Sequence, residues 1–285
     1  MGLKYKYLKG KALPLVKSSF NPVIKDGGNI NSAWNKSFLK IGHGGAAGHA
    51  SANTLHSVRV ALEMGVDVVE VDVRPCRDAL VLLHDDTLKK FNHPGELASQ
   101  STLEELRALE VDPNHQIATL AEALELVKNR ALINIDLKAD GYEKSVLDLV
   151  RSRGLSGDVI YSSVIASSLN RIRQEEPMAM LGLSYPEDRG DASTKPYLKP
   201  VVNSVILVMR LTLPYRILQM MSKAHANAVM LYHKVVSRPV IQTVQRVGGK
   251  VFTWTVDDTK RILAMKALGV NGITTNYPEL FISTD

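Results

Sequence analysis

The sequence predicts an α/β fold of the (β/α)8 barrel type, in which parallel strands alternate with helices. Eight short, largely apolar runs, helical periodicity between them, and no low-complexity linker support this prediction. At 285 residues the chain is long enough for one barrel of about 250 residues and an extension. We therefore expect a basic N-terminal extension over residues 1–37 and a single barrel domain over residues 38–285.

Eight segments have the length and composition of buried strands. They are Leu39–His43, Asp67–Val73, Leu132–Lys138, Asp158–Ser162, Met180–Ser184, Asn227–Tyr232, Lys250–Thr255 and Gly272–Thr275. Arg77–His84 follows the second strand without an intervening helix, so we predict a return hairpin there. His84 would then overhang the carboxyl end of the barrel, where barrel enzymes keep their chemistry.

Helical periodicity appears between the strands. The predicted helices are Thr54–Met64, Leu103–Leu109, Leu120–Val127, Tyr142–Arg151, Ser168–Glu175, Arg238–Val247 and Asp258–Leu268. We expect Ser168 and Asp258 to cap two of them, because short polar side chains accept hydrogen bonds from free N–H groups at helix starts.

Two carboxylates stand side by side on the second predicted strand. Because side chains alternate between sheet faces, Glu70 and Asp72 emerge on the same face. Burying such a pair costs several kcal/mol unless it is neutralised, and a divalent cation with oxygen ligands is the usual remedy. The alternative is that the carboxylates face solvent or pair with Arg74 and Arg77.

The order of the neighbouring polar residues favours the metal site. His43 ends the first strand and His84 is followed by Asp85 and Asp86. Another apolar strand ends in Asp136-Leu137-Lys138. Histidines beside such a site are suited to acid–base chemistry.

These segments carry a family resemblance, which extends from about Phe38 to the C-terminus. The matching segments are Ile41-Gly42-His43-Gly44-Gly45, Asn53-Thr54, Gly65 to Val73, Leu83-His84-Asp85, Ile135 to Lys138, Trp254 to Asp257 and Gly272 to Pro278. In this order they resemble the glycerophosphodiester phosphodiesterases of the phospholipase-C-like phosphodiesterase superfamily.

The resemblance implies a (β/α)8 barrel, a divalent cation (Mg or Ca) and a hydrolase of lipid and glycerol metabolism. The expected reaction releases an alcohol and glycerol 3-phosphate from a glycerophosphodiester. The roles that it implies are acid–base catalysis by His43 and His84, metal binding by Glu70, Asp72 and Asp136, phosphate contact by Lys138, and a wall of the substrate cleft formed by Trp254.

The chain departs from the family pattern at three places. Asn276 stands where the family more often has an acid, in a segment that we interpret as chiefly structural. Gly44 stands where the family usually has an arginine, and Ser51-Ala52 stand where it has Pro-Glu. Arginine holds a phosphate bidentately and glycine cannot. Arg74, Arg189 and Lys234 are candidate replacement cations, and His49 is a candidate replacement polar group or a plain loop residue. The alternative functions are a lysophospholipase D-like or other unusual phosphodiesterase, and a catalytically weak binding relative.

Charge and hydropathy raise the question of membrane contact. The formal net charge is +6, and six lysines precede the first acidic residue, Asp26. This basic start is either a solvated tail or a segment on an anionic membrane surface. The apolar stretch Pro200–Met221 contains Arg210, Pro214 and Arg216, so we predict a barrel helix or connecting segment with an apolar face rather than a transmembrane helix.

The expected partner is a small-molecule phosphodiester, with no nucleic acid and with peripheral contact to an anionic membrane as a further option. No signal peptide is evident at the N-terminus. A single cysteine excludes an intrachain disulfide. We therefore expect a cytoplasmic enzyme, with a peripheral membrane location as the alternative.

Overall fold

The structure is a computed structural model that describes residues 32–109, 115–187 and 199–284. Its strands are β1 (Leu39–Gly42), β2 (Val68–Pro75), β3 (Leu80–Leu82), β4 (Leu132–Leu137), β5 (Val159–Ser163), β6 (Met180–Tyr185), β7 (Ala228–Tyr232), β8 (Lys250–Trp254) and β9 (Gly272–Thr275). Its helices are α1 (Leu55–Glu63), α2 (Leu103–Arg107), α3 (Leu120–Val127), α4 (Glu143–Ser152), α5 (Ala166–Glu175), α6 (Lys199–Lys223), α7 (Arg238–Gln245) and α8 (Thr259–Leu268).

Eight parallel strands close into a barrel in the order β1-β2-β4-β5-β6-β7-β8-β9, and β9 pairs back to β1. The remaining strand, β3, pairs antiparallel with β2 outside the barrel. The (β/α)8 fold, the eight predicted strands and the return hairpin at Arg77–His84 are thus confirmed. Closure removes the open edges that a flat sheet would expose.

The barrel interior divides into an apolar end and a polar end. Near the amino ends of the strands it is filled by a buried cluster that includes Leu39, Val68, Leu132 and Phe252. Trp34, which precedes the predicted domain boundary, belongs to this cluster and donates its indole N–H to the carbonyl of Gly157 at 3.2 Å. The inward-facing polar side chains therefore lie towards the carboxyl ends, where function is expected.

A second, larger cluster fills the space between the barrel and its helices, which explains the alternation of β2. Val69, Val71 and Val73 face the helices, whereas Glu70 and Asp72 face the barrel interior. All five side chains are buried, which explains why the strand sequence from Val69 to Val73 consists of valines with two acids between them.

The predicted helices are confirmed with small shifts at their ends. Asp258 caps α8 by accepting from the backbone N–H of Arg261 at 2.8 Å. Ser168 was wrongly predicted as a cap: α5 begins two residues earlier, at Ala166. The Ser168 hydroxyl instead donates to Glu143 of α4 at 2.6 Å, because a buried hydroxyl needs a partner.

The apolar stretch Pro200–Met221 lies within α6, which runs from Lys199 to Lys223 and contains Pro214. This 25-residue helix is the longest that the described residues form. By length and composition the part from Pro200 to Lys223 could cross a membrane.

Candidate active site

Three carboxylates meet at the carboxyl end of the barrel because neighbouring strands share one register. Asp72 of β2 lies beside Asp136 of β4, and Asp136 lies beside Ser162 of β5. Glu70 precedes Asp72 by two residues on the same face. One oxygen from each of the three carboxylates lies within 4.8 Å of the others, and all three side chains are buried.

Backbone and amide donors fix one oxygen of Glu70 and one of Asp72. The backbone N–H of Gly44 donates to Oε2 of Glu70 at 2.8 Å. The Asn53 side chain donates to Oδ2 of Asp72 at 2.8 Å and accepts from the Asp72 backbone N–H at 2.9 Å. These contacts orient both carboxylates before any ligand arrives.

Hydroxyl groups fix the third carboxylate. Ser162 donates to Oδ1 of Asp136 at 2.5 Å, and Ser184 donates to the same oxygen at 3.3 Å. In each acid, therefore, the scaffold holds one oxygen, and the second oxygens of Asp72 and Asp136 contact Lys138. Such outer-shell hydrogen bonds are typical of carboxylates that hold a metal.

Lys138 places its ammonium group between two of these acids. Its Nζ lies 2.8 Å from Asp72 and 2.5 Å from Asp136. Burial opposes the charge of Lys138, but Asp136, Asp72 and Glu70 outweigh it, so the pKa of this lysine lies above its ordinary value. Burial, followed by Asp72 and Asp136, raises the pKa of Glu70 well above its usual range. The single ammonium of Lys138 therefore does not balance the three carboxylates.

The chemistry of the cluster fits a divalent cation. Mg and Ca both prefer carboxylate oxygens, and Mg is often held by only one or two carboxylates with its other positions left to water and substrate phosphate. Glu70, Asp72 and Asp136 offer three such oxygens within one small volume.

The turn after β1 requires glycine at two positions. Gly44 has φ +50° and Gly45 has φ +87°, in the left-handed region that favours glycine. A Cβ on Gly44 would lie 2.9 Å from Cβ of Ala52, and a Cβ on Gly45 would lie 2.4 Å from the backbone of Ser57. The tight turn presents the Gly44 N–H to Glu70 and leaves His43 at the rim of the site.

His43 belongs to a hydrogen-bonded chain. Its Nδ1 lies 2.7 Å from Oδ1 of Asn276, and Nδ2 of Asn276 donates to Asp257 at 2.6 Å. A carboxylate only accepts, so Asp257 fixes which end of the amide faces His43. The amide oxygen then accepts from His43, which puts a proton on Nδ1 and leaves Nε2 of the neutral ring free to accept one.

His84 lies on the loop after β3, as predicted. Its Nδ1 is 2.7 Å from Oδ1 of Asp85, and both side chains are exposed. Its carbonyl accepts from Nε of Arg74 at 2.8 Å, which ties the loop to the end of β2. Burial raises the pKa of Asp72, but Lys138, then His84 and His43, lower it below its usual range. Both histidines are therefore close enough to Asp72 to act on its charge.

Trp254 ends β8 and is half-buried. Its indole N–H donates to the carbonyl of Met230 at 2.9 Å, and its ring contacts that of Tyr232 at 5.6 Å between centroids. These contacts hold the indole at the end of the barrel where the acids lie.

A comparison with known proteins identifies the family. The sequence profile of the glycerophosphoryl diester phosphodiesterase family matches residues 43–280, most of the chain. The chain belongs to this family. It is therefore a phosphoric diester hydrolase, and the resemblance carried by its motifs is confirmed.

Two curated relatives span nearly the same length. YhdW of Bacillus subtilis is 27% identical over 254 residues, which cover 85% of this chain and 96% of the relative. A glycerophosphodiester phosphodiesterase of Caldanaerobacter subterraneus is 26% identical over 259 residues, which cover 86% of this chain and 96% of the relative.

Solved structures share the fold. A glycerophosphodiester phosphodiesterase from Thermotoga maritima superposes with a TM-score of 0.66 at 22% identity, covering 87% of this chain and 98% of its own. A phosphodiesterase from Oleispira antarctica gives a TM-score of 0.68 at 20% identity, covering 86% and 95%. Both confirm the barrel of this family member.

The candidate replacements for the missing arginine lie in different places. Arg74 extends from β2 on the same face as Glu70 and Asp72. Lys234 lies over the ring of Tyr232, 5.8 Å from its centroid. His49 contacts Glu279 at 2.7 Å and is therefore held against the C-terminal segment. Arg189 lies outside the described residues. Arg74 contacts the loop that carries His84, the histidine loop, through the His84 carbonyl.

Several supporting residues had no functional role in the sequence interpretation. Asn53, Asp257 and Asn276 stood within the matching motifs, but Asn276 was interpreted as chiefly structural. Ser162 carried a weak signal, because a polar residue on the inward face of a strand end needs a polar partner. Ser184 carried the same signal one strand further along the barrel.

Proposed function

We propose that this family member hydrolyses glycerophosphodiesters to an alcohol and glycerol 3-phosphate. The observation that carries the proposal is the cluster of Glu70, Asp72 and Asp136, in which a donor from the scaffold holds one oxygen of every acid. The family assignment supports the reaction class. The Oleispira antarctica phosphodiesterase was solved with the product sn-glycerol-3-phosphate, which supports the product.

Glu70, Asp72 and Asp136 would hold Mg or Ca. A cation bound there would polarise a phosphodiester oxygen and offset charge in the transition state. Lys138 adds a fixed positive charge beside that position, where it can contact a phosphate oxygen. Burial of the acids keeps these charges in a low dielectric, which strengthens their effect.

We assign the two histidines different tasks. His43 acts as the base, because Asn276 holds the proton on Nδ1 and leaves Nε2 to accept one from the nucleophile. His84 acts as the acid that protonates the leaving alkoxide, because the Asp85 carboxylate beside it compensates an imidazolium charge. The nucleophile is water or a neighbouring hydroxyl of the substrate, which would give a cyclic phosphate first.

The test is turnover of glycerophosphocholine by the purified chain after treatment with chelator. We expect activity to disappear in chelator and to return with Mg or Ca. Full turnover by a protein shown to be free of metal would reject the cation. Absence of turnover under every metal condition, in a protein that thermal unfolding shows to be folded, would favour a binding relative.

A second candidate function is a lysophospholipase D-like reaction on monoacylated phosphodiesters. The apolar exposed surface of α6 favours it, because an acyl chain needs apolar contact outside the polar barrel mouth. Comparing kcat/KM for deacylated and monoacylated substrates of the same headgroup distinguishes the two. The domain boundary and the cytoplasmic location stay predictions.

A further inference from the structure

Helix α6 exposes a row of large apolar side chains that the barrel does not cover. Val208, Leu211 and Tyr215 are 59%, 64% and 87% exposed, and Val201, Val205 and Leu207 lie near them on the exposed side. The opposite face packs on the core through the buried Leu213, Ile217 and Met221. Soluble proteins rarely leave such a contiguous patch uncovered without a partner.

The amino-terminal part of α6 lies on the side of the active site. The helix connects the carboxyl end of β6 to the amino end of β7, so it starts beside the barrel mouth. Burial and then the charge of Arg210 lower the pKa of Arg261, which places Arg210 near Arg261. Arg261 in turn donates to the carbonyl of His233, directly after β7. The helix from Lys199 to Arg210 therefore rises beyond the strand ends, over about 16 Å at 1.5 Å per residue.

The charges on α6 have a single sign. The helix contains Lys199, Arg210, Arg216 and Lys223 and no aspartate or glutamate. Its apolar row is thus accompanied by cations alone. A helix that exposes an apolar row and carries only cations is suited to the interface of an anionic bilayer, where each cation near the headgroups contributes about fivefold in affinity.

We propose that α6 is a membrane-docking helix that holds the mouth of the barrel beside an anionic phospholipid bilayer. The helix lies in the interface with its apolar row in the headgroup and upper acyl region. It does not cross the bilayer, because Leu213, Ile217 and Met221 fix its other face to the barrel and Arg210 would sit mid-span.

Two other occupants fit the charges less well. The N-terminal segment, residues 1–31, has six lysines and one aspartate, so its docking on α6 would bring like charges together. A second copy of α6 packed across the same row would also bring cations against cations. An anionic lipid surface complements both the apolar row and its charge.

The experiment is co-sedimentation of the full-length chain with vesicles. Vesicles of phosphatidylcholine containing phosphatidylglycerol are compared with phosphatidylcholine alone, at low and high salt. We expect binding to the anionic vesicles that weakens with salt. The double variant Leu207→Ser/Leu211→Ser should lose binding at least tenfold, and Arg210→Gln/Arg216→Gln should lose about as much on the anionic vesicles alone.

The matched control removes two exposed aliphatic side chains elsewhere, in Leu263→Ser/Ile282→Ser, which are 47% and 74% exposed. This variant should bind vesicles like the native chain. Thermal unfolding checks that all variants are folded, since exposed positions contribute little to stability.

Three results would overturn the proposal. The first is a native chain that fails to bind anionic vesicles. The second is α6 variants that bind as tightly as the native chain. The third is a native chain that forms dimers without lipid, with the α6 variants abolishing those dimers. Since binding is measured without substrate, its outcome is independent of the proposed reaction.

Discussion

Nδ1 of His43 lies 2.7 Å from the side-chain oxygen of Asn276, and Asp257 holds the other end of the same amide. The chain of contacts determines which ring nitrogen of His43 carries the proton. It therefore links a residue at the end of β9 to the base proposed for the first step of the reaction.

Asn276→Ala should lower kcat on the order of 10- to 100-fold with little change in KM, because it removes the partner that orients His43 without touching the acids. Asn276→Asp should not rescue the rate fully, since the new carboxylate would face Asp257 at the 2.6 Å of the present contact. The pH–rate profile of both variants should change shape. Unchanged kcat and an unchanged profile in Asn276→Ala would remove Asn276 from the mechanism.

Cation affinity should rise with pH. Burial and the neighbouring acids raise the pKa of Glu70, so at low pH this side chain is protonated and cannot act as a ligand. Glu70→Gln should weaken Mg or Ca binding and flatten its pH dependence, since the amide keeps the shape but does not titrate. Calorimetric titration between about pH 5.5 and 8 measures both effects. Equal affinity at both ends of this range would contradict the shared role of Glu70.

His43→Ala and His84→Ala should each reduce kcat about 10²- to 10⁴-fold while the protein stays folded. If the two act as one acid–base pair, the double variant should lose far less than the product of the single losses. His93→Ala, an exposed histidine paired with Glu96, serves as the control and should be neutral. Near-normal turnover in either single variant would disprove that histidine's role.

The sequence predicted the barrel well because its signals are local. Each barrel strand is a short, largely apolar run, and alternation alone placed Glu70 and Asp72 on one face. The contacts of Asn276, Ser162 and Ser184 could not be predicted in the same way. They depend on the register between strands far apart in sequence, such as Asp136 beside Ser162, which no local pattern specifies. The cap predicted at Ser168 was wrong for the same reason, since Glu143 from another helix binds its hydroxyl.

Lys138→Met should destabilise the chain in chelator by about 3–5 kcal/mol, because it leaves Asp72 and Asp136 buried without their ammonium partner. Saturating Mg or Ca should recover much of this loss, since a cation on the same acids replaces the missing charge. The matched control is Lys144→Met, whose pair with Asp148 is exposed and screened by solvent, so its loss should change stability little. An equal loss of stability with and without Mg or Ca would show that Lys138 contributes through packing and not by compensating the charge of the acids.

Gly44 is the position where the chain departs most from its family, and the geometry makes any side chain there costly. Gly44→Ala should destabilise the protein by more than the roughly 1 kcal/mol that a positive φ alone costs, because its Cβ also meets Ala52 at 2.9 Å. Gly65→Ala is the matched control, since Gly65 has φ +72° with nothing within 4 Å of the added Cβ.

Gly44→Arg should fail to lower KM for a glycerophosphodiester, because the strained turn displaces the N–H that holds Glu70. If Arg74, near the histidine loop, binds the substrate phosphate in place of the missing arginine, Arg74→Lys should raise KM several-fold. Lysine lacks the planar guanidinium fork and the Nε that donates to the His84 carbonyl. Steady-state kinetics on both variants measure KM for the glycerophosphodiester. A lower KM in Gly44→Arg together with an unchanged KM in Arg74→Lys would show that the phosphate clamp was lost and not replaced by Arg74.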